Sequence, residues 1–303
     1  MVAFWWLAQI GVHVKLTWKF NLALLGIFVL GFAIFGTVSY RLLQSNAREE
    51  LLDDARVMME TTLSSRSYTN AQIKPLLETQ LNYAFLPQSV PDYAATEQFN
   101  ELRKKYPDYG YKEAMLNPTN PRDRAVEWEA ELVNQFRNDA AKAELVGERE
   151  TPTGHVLFLA QPIAIKDGAC LACHSTVAAA PKTMIELYGQ ANGFGWKLNE
   201  IVGAQIVSVP SALPVQRANR IFRWFMVLYT VVFILIIALL NVMLHTMVIR
   251  RVKQLSRLAD EVSLGHLEAA EFPSKSKDEI GVLSGALSRM NKSLVQAIKM
   301  LEE

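Results

Sequence analysis

Cysteine is scarce in this chain: two among 303 residues, both inside one five-residue stretch. A disulfide framework of several bridges is therefore excluded. Net charge is scarce as well, +1 overall, which argues against a nucleic-acid binder. No Ser-His-Asp grouping, phosphate-binding loop or carboxylate pair is set out by a recognisable motif, so no enzymatic activity is expected. No small-residue cleavage site follows the first apolar run, so a cleaved signal peptide is not expected either.

The stretch that uses both cysteines is Cys170-Leu171-Ala172-Cys173-His174. Two thiols three positions apart can each form a thioether to a haem vinyl group, and the adjacent histidine then becomes an axial ligand of the iron. A thioredoxin-like pair should follow a strand and open a long helix. Here Lys166-Asp167-Gly168-Ala169 precede and Ser175-Thr176 follow, a loop-like setting. A zinc site would need a fourth ligand and awkward adjacent ligation by Cys173 and His174. One covalently bound haem c is the expectation, with Cys170 and Cys173 as attachment points and His174 as proximal ligand.

Charge is unevenly spread. Residues 42–218 carry 17 Lys/Arg against 22 Asp/Glu, whereas the remainder is basic. Basic ends around an acidic middle suit a chain whose ends touch a membrane. Residues 1–19, with Trp5, Trp6, Lys15, Trp18 and Lys19, read as an interfacial segment. Residues 20–40 read as a first transmembrane helix, because roughly 20 apolar residues cross a bilayer core. Residues 221–249 read as a second, flanked by arginines on both sides. Asn241 and His245 lie near its end, where polar residues snorkel or pair with a neighbouring helix. Thioether attachment belongs to the bacterial periplasm. Residues 41–218 are therefore expected there, in a two-pass inner-membrane protein with both termini cytoplasmic.

The outer segment opens with a helix, since Leu51, Leu52, Ala55, Met58, Met59, Thr62 and Leu63 recur at helical spacing. Dense turn chemistry follows around Pro87, Pro91, Pro107, Pro118 and Pro121. Tyr109 to Ala114 reads as a short strand and Asp123 to Phe136 as a helix. His155 to Ala160, continuing towards Ile165, and Ile201 to Val209 read as buried strands with the Cys170–His174 motif between them. The fold class is α+β with a small antiparallel sheet. In the tail, Val248, Val252, Leu255, Ala259 and Val262 form one heptad string, and Ile280, Leu283, Leu287, Met290, Leu294, Ala297 and Leu301 a second. Gly265 and Pro273 frame the connector. A monomer cannot bury both seams, so a parallel homodimer forming a four-helix bundle is expected.

Residues 250–303 resemble a HAMP domain, a cytoplasmic signal-relay module. The heptad strings, Gly265 and Asp278-Glu279-Ile280-Gly281 carry the likeness, and Gln254 stands where many members have proline. The outer segment resembles the Tll-type family of periplasmic c-type haem domains. That likeness rests on Arg66-Ser67-Tyr68-Thr69, Tyr106 to Tyr109, Asn117 to Asp123, Cys170 to His174 and Gly203 to Pro210. It implies a PAS-like fold, His174 as axial ligand, and redox or ligand sensing. The family's distal cysteine has no counterpart here. Met58, Met59 and His155 are alternative distal candidates, beside an open or water-bound position. Arg66 and Arg122, with Arg124, are candidates to pair with haem propionates, because guanidinium matches carboxylate geometry.

Together these features point to a transmembrane sensor of redox state or of a diatomic gas. Its signal would pass through the HAMP bundle to a separate cytoplasmic signalling protein. A membrane-anchored periplasmic cytochrome is the alternative, and a haem-free receptor a third reading.

Overall fold

The computed structural model describes residues 15–152, 154–266 and 277–302. The expectations for Trp5, Trp6 and Pro273 fall outside them. The chain divides into two compact units, residues 39–222 and residues 1–38 with 223–303.

In the first unit, four antiparallel strands form one sheet in the order β1-β4-β3-β2. They are β1 (Gly110–Met115), β2 (Leu145–Thr151), β3 (Gly154–Ala164) and β4 (Ile201–Pro210). Helices cover both faces. Side chains alternate across a pleated strand, and the two cores divide by parity. Leu157, Leu159, Val207, Val209 and Tyr111 face Leu51, Ala55 and Met59 of helix α1 (Leu16–Tyr68). A π-helical segment (Thr69–Ile73) and the short helix α2 (Lys74–Leu77) continue from α1. Ala95 and Phe99 of α3 (Pro91–Lys105) join the same core. Ala160, Ala204, Ile206 and Ala114 face Leu132, Val133 and Phe136 of α4 (Glu127–Asn138). Phe136 is fully buried, and a side chain of that size contributes roughly 1.5–3 kcal/mol. Gly203 is required by close strand packing, since a Cβ there would lie 2.6 Å from the Ala114 carbonyl oxygen.

Strand β2 and helix α3 are not among the expected elements. The helix expected from Asp123 begins later, after a 3-10 turn at Pro121–Asp123. The motif itself is more ordered than a loop: a 3-10 turn (Gly168–Cys170) leads into α5 (Leu171–His174), and α6 (Lys182–Tyr188) follows.

In the second unit, α1 contributes its N-terminal part and α7 (Ala212–Met243) most of its length. These are two helices long and apolar enough to cross a membrane. Phe28 stacks on Phe233 at 4.1 Å, and Phe35 on Tyr229 at 5.3 Å. A π-helical segment (Leu244–Ile249) leads into α8 (Arg250–Ser263), and α9 (Glu279–Glu302) completes the unit. Leu255, Leu258 and Val262 of α8 pack on Ile280 and Leu287 of α9. The Gly281 N–H donates to Asp278 Oδ1 at 2.8 Å, which satisfies a free amide at the start of α9.

Candidate functional site

Parity carries the sheet face beneath α1 beyond its apolar core. After Leu157 and Leu159 the same side of β3 continues to Ile163, and of β1 to Met115. There a cavity of about 480 Å3 opens, within the roughly 300–1,000 Å3 usual for ligand pockets. Leu63, Arg66, Ser67, Asn70 and Lys74 bring one helical face to it. Leu81, Phe85, Ile163, Ile165 and Met184 supply apolar wall, and Cys170, Cys173 and His174 lie together on its lining.

His174 is held on three sides. Its Nδ1 lies 2.7 Å from the Gly193 carbonyl oxygen and 3.4 Å from Thr119 Oγ1. A carbonyl can only accept, so Nδ1 carries the proton. Among the described residues no hydrogen bond engages Nε2. The ring stacks on Trp196, with centroids 4.0 Å apart and planes 15° off parallel. Main-chain bonds lock this arrangement: Trp196 N–H donates to His174 O and Gly195 N–H to Ser175 O. Burial pushes the His174 pKa down against the opposing Gly193 bond, which favours the neutral imidazole that ligates metal. Burial likewise raises both thiol pKa values. Asp167 adds to this at Cys170, and Lys74 opposes it at both. Neither cysteine is in a disulfide.

Between the apolar core and the cavity lies a buried polar cluster. Arg66 pairs with the fully buried Glu113, which also accepts from the Tyr111 hydroxyl at 2.6 Å. With its amide oxygen turned towards the guanidinium, Gln205 accepts from Arg66 at 3.3 Å. Burial opposes charge on Arg66, yet Glu113 raises its pKa further. Asp92 and Asp123 line the cavity nearby.

The structure brings Cys170, Cys173, His174 and Arg66 to one cavity. It does not bring the distal candidates there. Met59 is fully buried in the core with Leu51 and Phe99, and Met58 packs beside it. Met59 is on the correct helical face but two turns before Arg66, about 10 Å along the axis. His155 is exposed on β3 and pairs with Glu150 at 2.8 Å across the hairpin. The methionines that do line the cavity are Met115 and Met184. Both arginines are engaged by protein carboxylates. Arg122 lies outside the cavity lining, 2.5 Å from Glu97, and sits over the Tyr93 ring. Arg124 donates to Asn192 at 3.0 Å. Gly193, Trp196, Thr119 and Asp92 are site residues that no motif announces. The one available signal is Thr119 inside Asn117-Pro118-Thr119-Asn120-Pro121.

The donor set fits a haem c. Both thiols and a singly anchored neutral imidazole line one largely apolar space. Among the described residues no group of three or more His, Cys, Asp or Glu is placed to hold a bare metal ion.

Residues 44–210 match the family model described as Tll0287-like. A structural similarity extends to the crystal structure of the cyanobacterial heme-protein Tll0287, at 16% identity and a TM-score of 0.41, covering 53% of this chain and 95% of that one. No curated protein matches the chain.

Proposed function

The chain belongs to the Tll0287-like family, and from that premise we propose that it is a transmembrane sensor built around one covalently attached haem c. The observation that carries this reading is a single cavity lined by Cys170, Cys173 and His174. Cys170 and Cys173 would hold the group through thioether bonds, and His174 would offer Nε2 to its iron. When bound, the haem supplies a one-electron couple and an iron that can take a small ligand such as NO, CO or O₂. The protein contributes a fixed imidazole, an apolar wall that limits water, and a charged cluster at the edge of that wall.

Residues 41–218 form the periplasmic, PAS-like sensor domain. Residues 20–40 and 221–249 cross the inner membrane, residues 1–19 lie at its interface, and both termini are cytoplasmic. Residues 250–303 are a HAMP relay in a parallel homodimer. The packing of Leu255 and Val262 on Ile280 and Leu287 supports this reading. So do Val252, Leu283, Met290 and Leu294, seam side chains left exposed on α8 and α9. The chain itself catalyses no reaction, and its output passes to a separate cytoplasmic signalling protein.

The test is a denaturing gel stained for haem, on protein matured in a bacterial periplasm. The wild type is expected to keep its stain, and the Cys170→Ala, Cys173→Ala double variant to lose it. His174→Ala should remain stained with an altered visible spectrum. An unstained wild type would falsify the assignment.

A further inference from the structure

Asp92 and Asp123 line one side of the cavity with Glu113 buried behind Arg66, and two of these three carboxylates are compensated. Glu113 has Arg66 and the Tyr111 hydroxyl. Asp123 lies 3.5 Å from Arg122, which it shares with Glu97. Asp92 makes no ion pair or hydrogen bond with any described residue. It stands half-buried at the start of α3 and lines the same space as Cys170, Cys173 and His174. A carboxylate so placed answers to any charge that changes inside the cavity.

We infer that Asp92 is the proton acceptor coupled to reduction of the group held in this cavity, an inference that rests on the haem reading above. One electron arrives from an external one-electron donor. One proton arrives from solvent hydronium, whose O–H bond breaks to leave water as the O–H bond of the Asp92 carboxyl forms. No bond within the protein breaks, and both particles leave on oxidation.

The electrostatics agree with the geometry. Burial, with Glu113 and Asp123 adding repulsion, lifts the Asp92 pKa to about 7 against the opposing pull of Arg66 and Arg122. Tyr111 from β1 and Tyr188 from α6 are the other titratable groups that feel Asp92. Each of these two is raised by burial, so both stay neutral through the relevant range. Adding an electron to the cavity removes a positive charge and strengthens proton binding at Asp92.

The experiment uses the full-length, haem-bearing chain in detergent. Midpoint potential is followed by spectroelectrochemical titration from pH 5 to 9 in wild type, Asp92→Asn and Asp123→Asn. The wild-type potential should fall as pH rises through about 6 to 8, approaching 59 mV for each tenfold fall in proton activity. Asp92→Asn should flatten that slope. Asp123→Asn should keep it but move it to lower pH, because a repelling neighbour is gone. Reduced-minus-oxidised infrared spectra should show a protonated carboxyl C=O band that disappears in Asp92→Asn. An equal slope in wild type and Asp92→Asn, or a potential independent of pH in haem-loaded wild type, overturns the inference alone. Absence of covalent haem overturns the reading of the site and this inference with it.

Discussion

His174 donates from Nδ1 to the carbonyl oxygen of Gly193 at 2.7 Å, across 19 residues of chain. That bond sets the tautomer and leaves Nε2 unprotonated, available to the iron of the proposed haem, the role outer partners play at metal-binding histidines. Gly193 has φ +84°, and a Cβ there would meet Thr119 Oγ1 at 2.0 Å and Thr119 Cα at 2.9 Å. Gly193→Ala should therefore move the carbonyl rather than merely crowd it. Losing such a partner weakens ligation roughly 10- to 100-fold. The expected readout is displacement of His174 by added imidazole at correspondingly lower concentration. Trimming Thr119 to glycine should not restore ligation, because its backbone Cα is also in the way.

Arg66 and Glu113 form the ion pair on which this part of the fold depends. Glu113 is fully buried, and removing Arg66 leaves its charge unmatched. Breaking a buried pair on one side costs about 3–5 kcal/mol, so Arg66→Met should lower urea stability by that order. Tyr111→Phe removes one hydrogen bond to the same carboxylate and should cost about 1.5–3 kcal/mol. The Arg66→Met, Glu113→Leu double variant should be more stable than Arg66→Met alone. A double variant as unstable as Arg66→Met would show that the pair is not the source of the loss.

Much of this arrangement follows from periodicity, and the rest from contacts between distant segments. Leu157 with Leu159 and Phe158 with Ala160 separate into two cores because strand parity is a local property. The same rule puts Met59 on the cavity-facing side of α1, but spacing alone cannot say how far along the helix a cavity lies. Strand β2 is hidden because Glu148, Arg149 and Glu150 are charged side chains on an edge strand, whose fit comes from pairing with β3. Helix α3 opens on Pro91 and buries only Ala95 and Phe99, so its turn-like start outweighs a thin apolar stripe. Cys170, Cys173 and His174 are legible as a group because they are neighbours in sequence, and the structure places all three on one cavity. Gly193, Trp196 and Thr119 reach His174 through loops, where spacing carries no signal.

Stability should fall as pH rises through the acidic range because of two carboxyls. Burial first, then neighbouring acids, raises Asp92 to about 7. Burial, with Glu113 adding, raises Asp123 to about 6 against the pull of Arg122. Unfolded aspartate titrates near 3.9. From about pH 4 to 7 the folded chain therefore holds protons that the unfolded chain has released, so their contribution is largest below pH 4 and is lost by pH 7. At about 1.4 kcal/mol for each tenfold change in protonation, half of the Asp92 displacement is worth on the order of 2 kcal/mol. Asp92→Asn in haem-free protein should then gain stability over wild type at pH 8 and lose that advantage near pH 4. Parallel pH curves for the two proteins in chemical denaturation would contradict this.

Asn21 and Asn241 exchange amide hydrogen bonds at 3.1 Å and 2.8 Å between two helices apolar enough to cross a membrane. Asn241 Nδ2 also reaches the Ile237 carbonyl oxygen at 2.9 Å, so one partner keeps a bond when the other is removed. In hydrocarbon an unsatisfied amide is costly, yet interhelical polar contacts measured there average only about 0.6 kcal/mol and reach about 1–2. Asn21→Leu should therefore leave Asn241 partly satisfied and cost less than Asn241→Leu, which strands the Asn21 amide. The pair's coupling should emerge as about 0.5–2 kcal/mol in a double-mutant cycle of steric-trap or detergent unfolding. Strictly additive losses would mean that the two amides sit side by side without holding the helices together. In that case the stacked rings of Phe28, Phe35, Tyr229 and Phe233 would have to set the helix register instead.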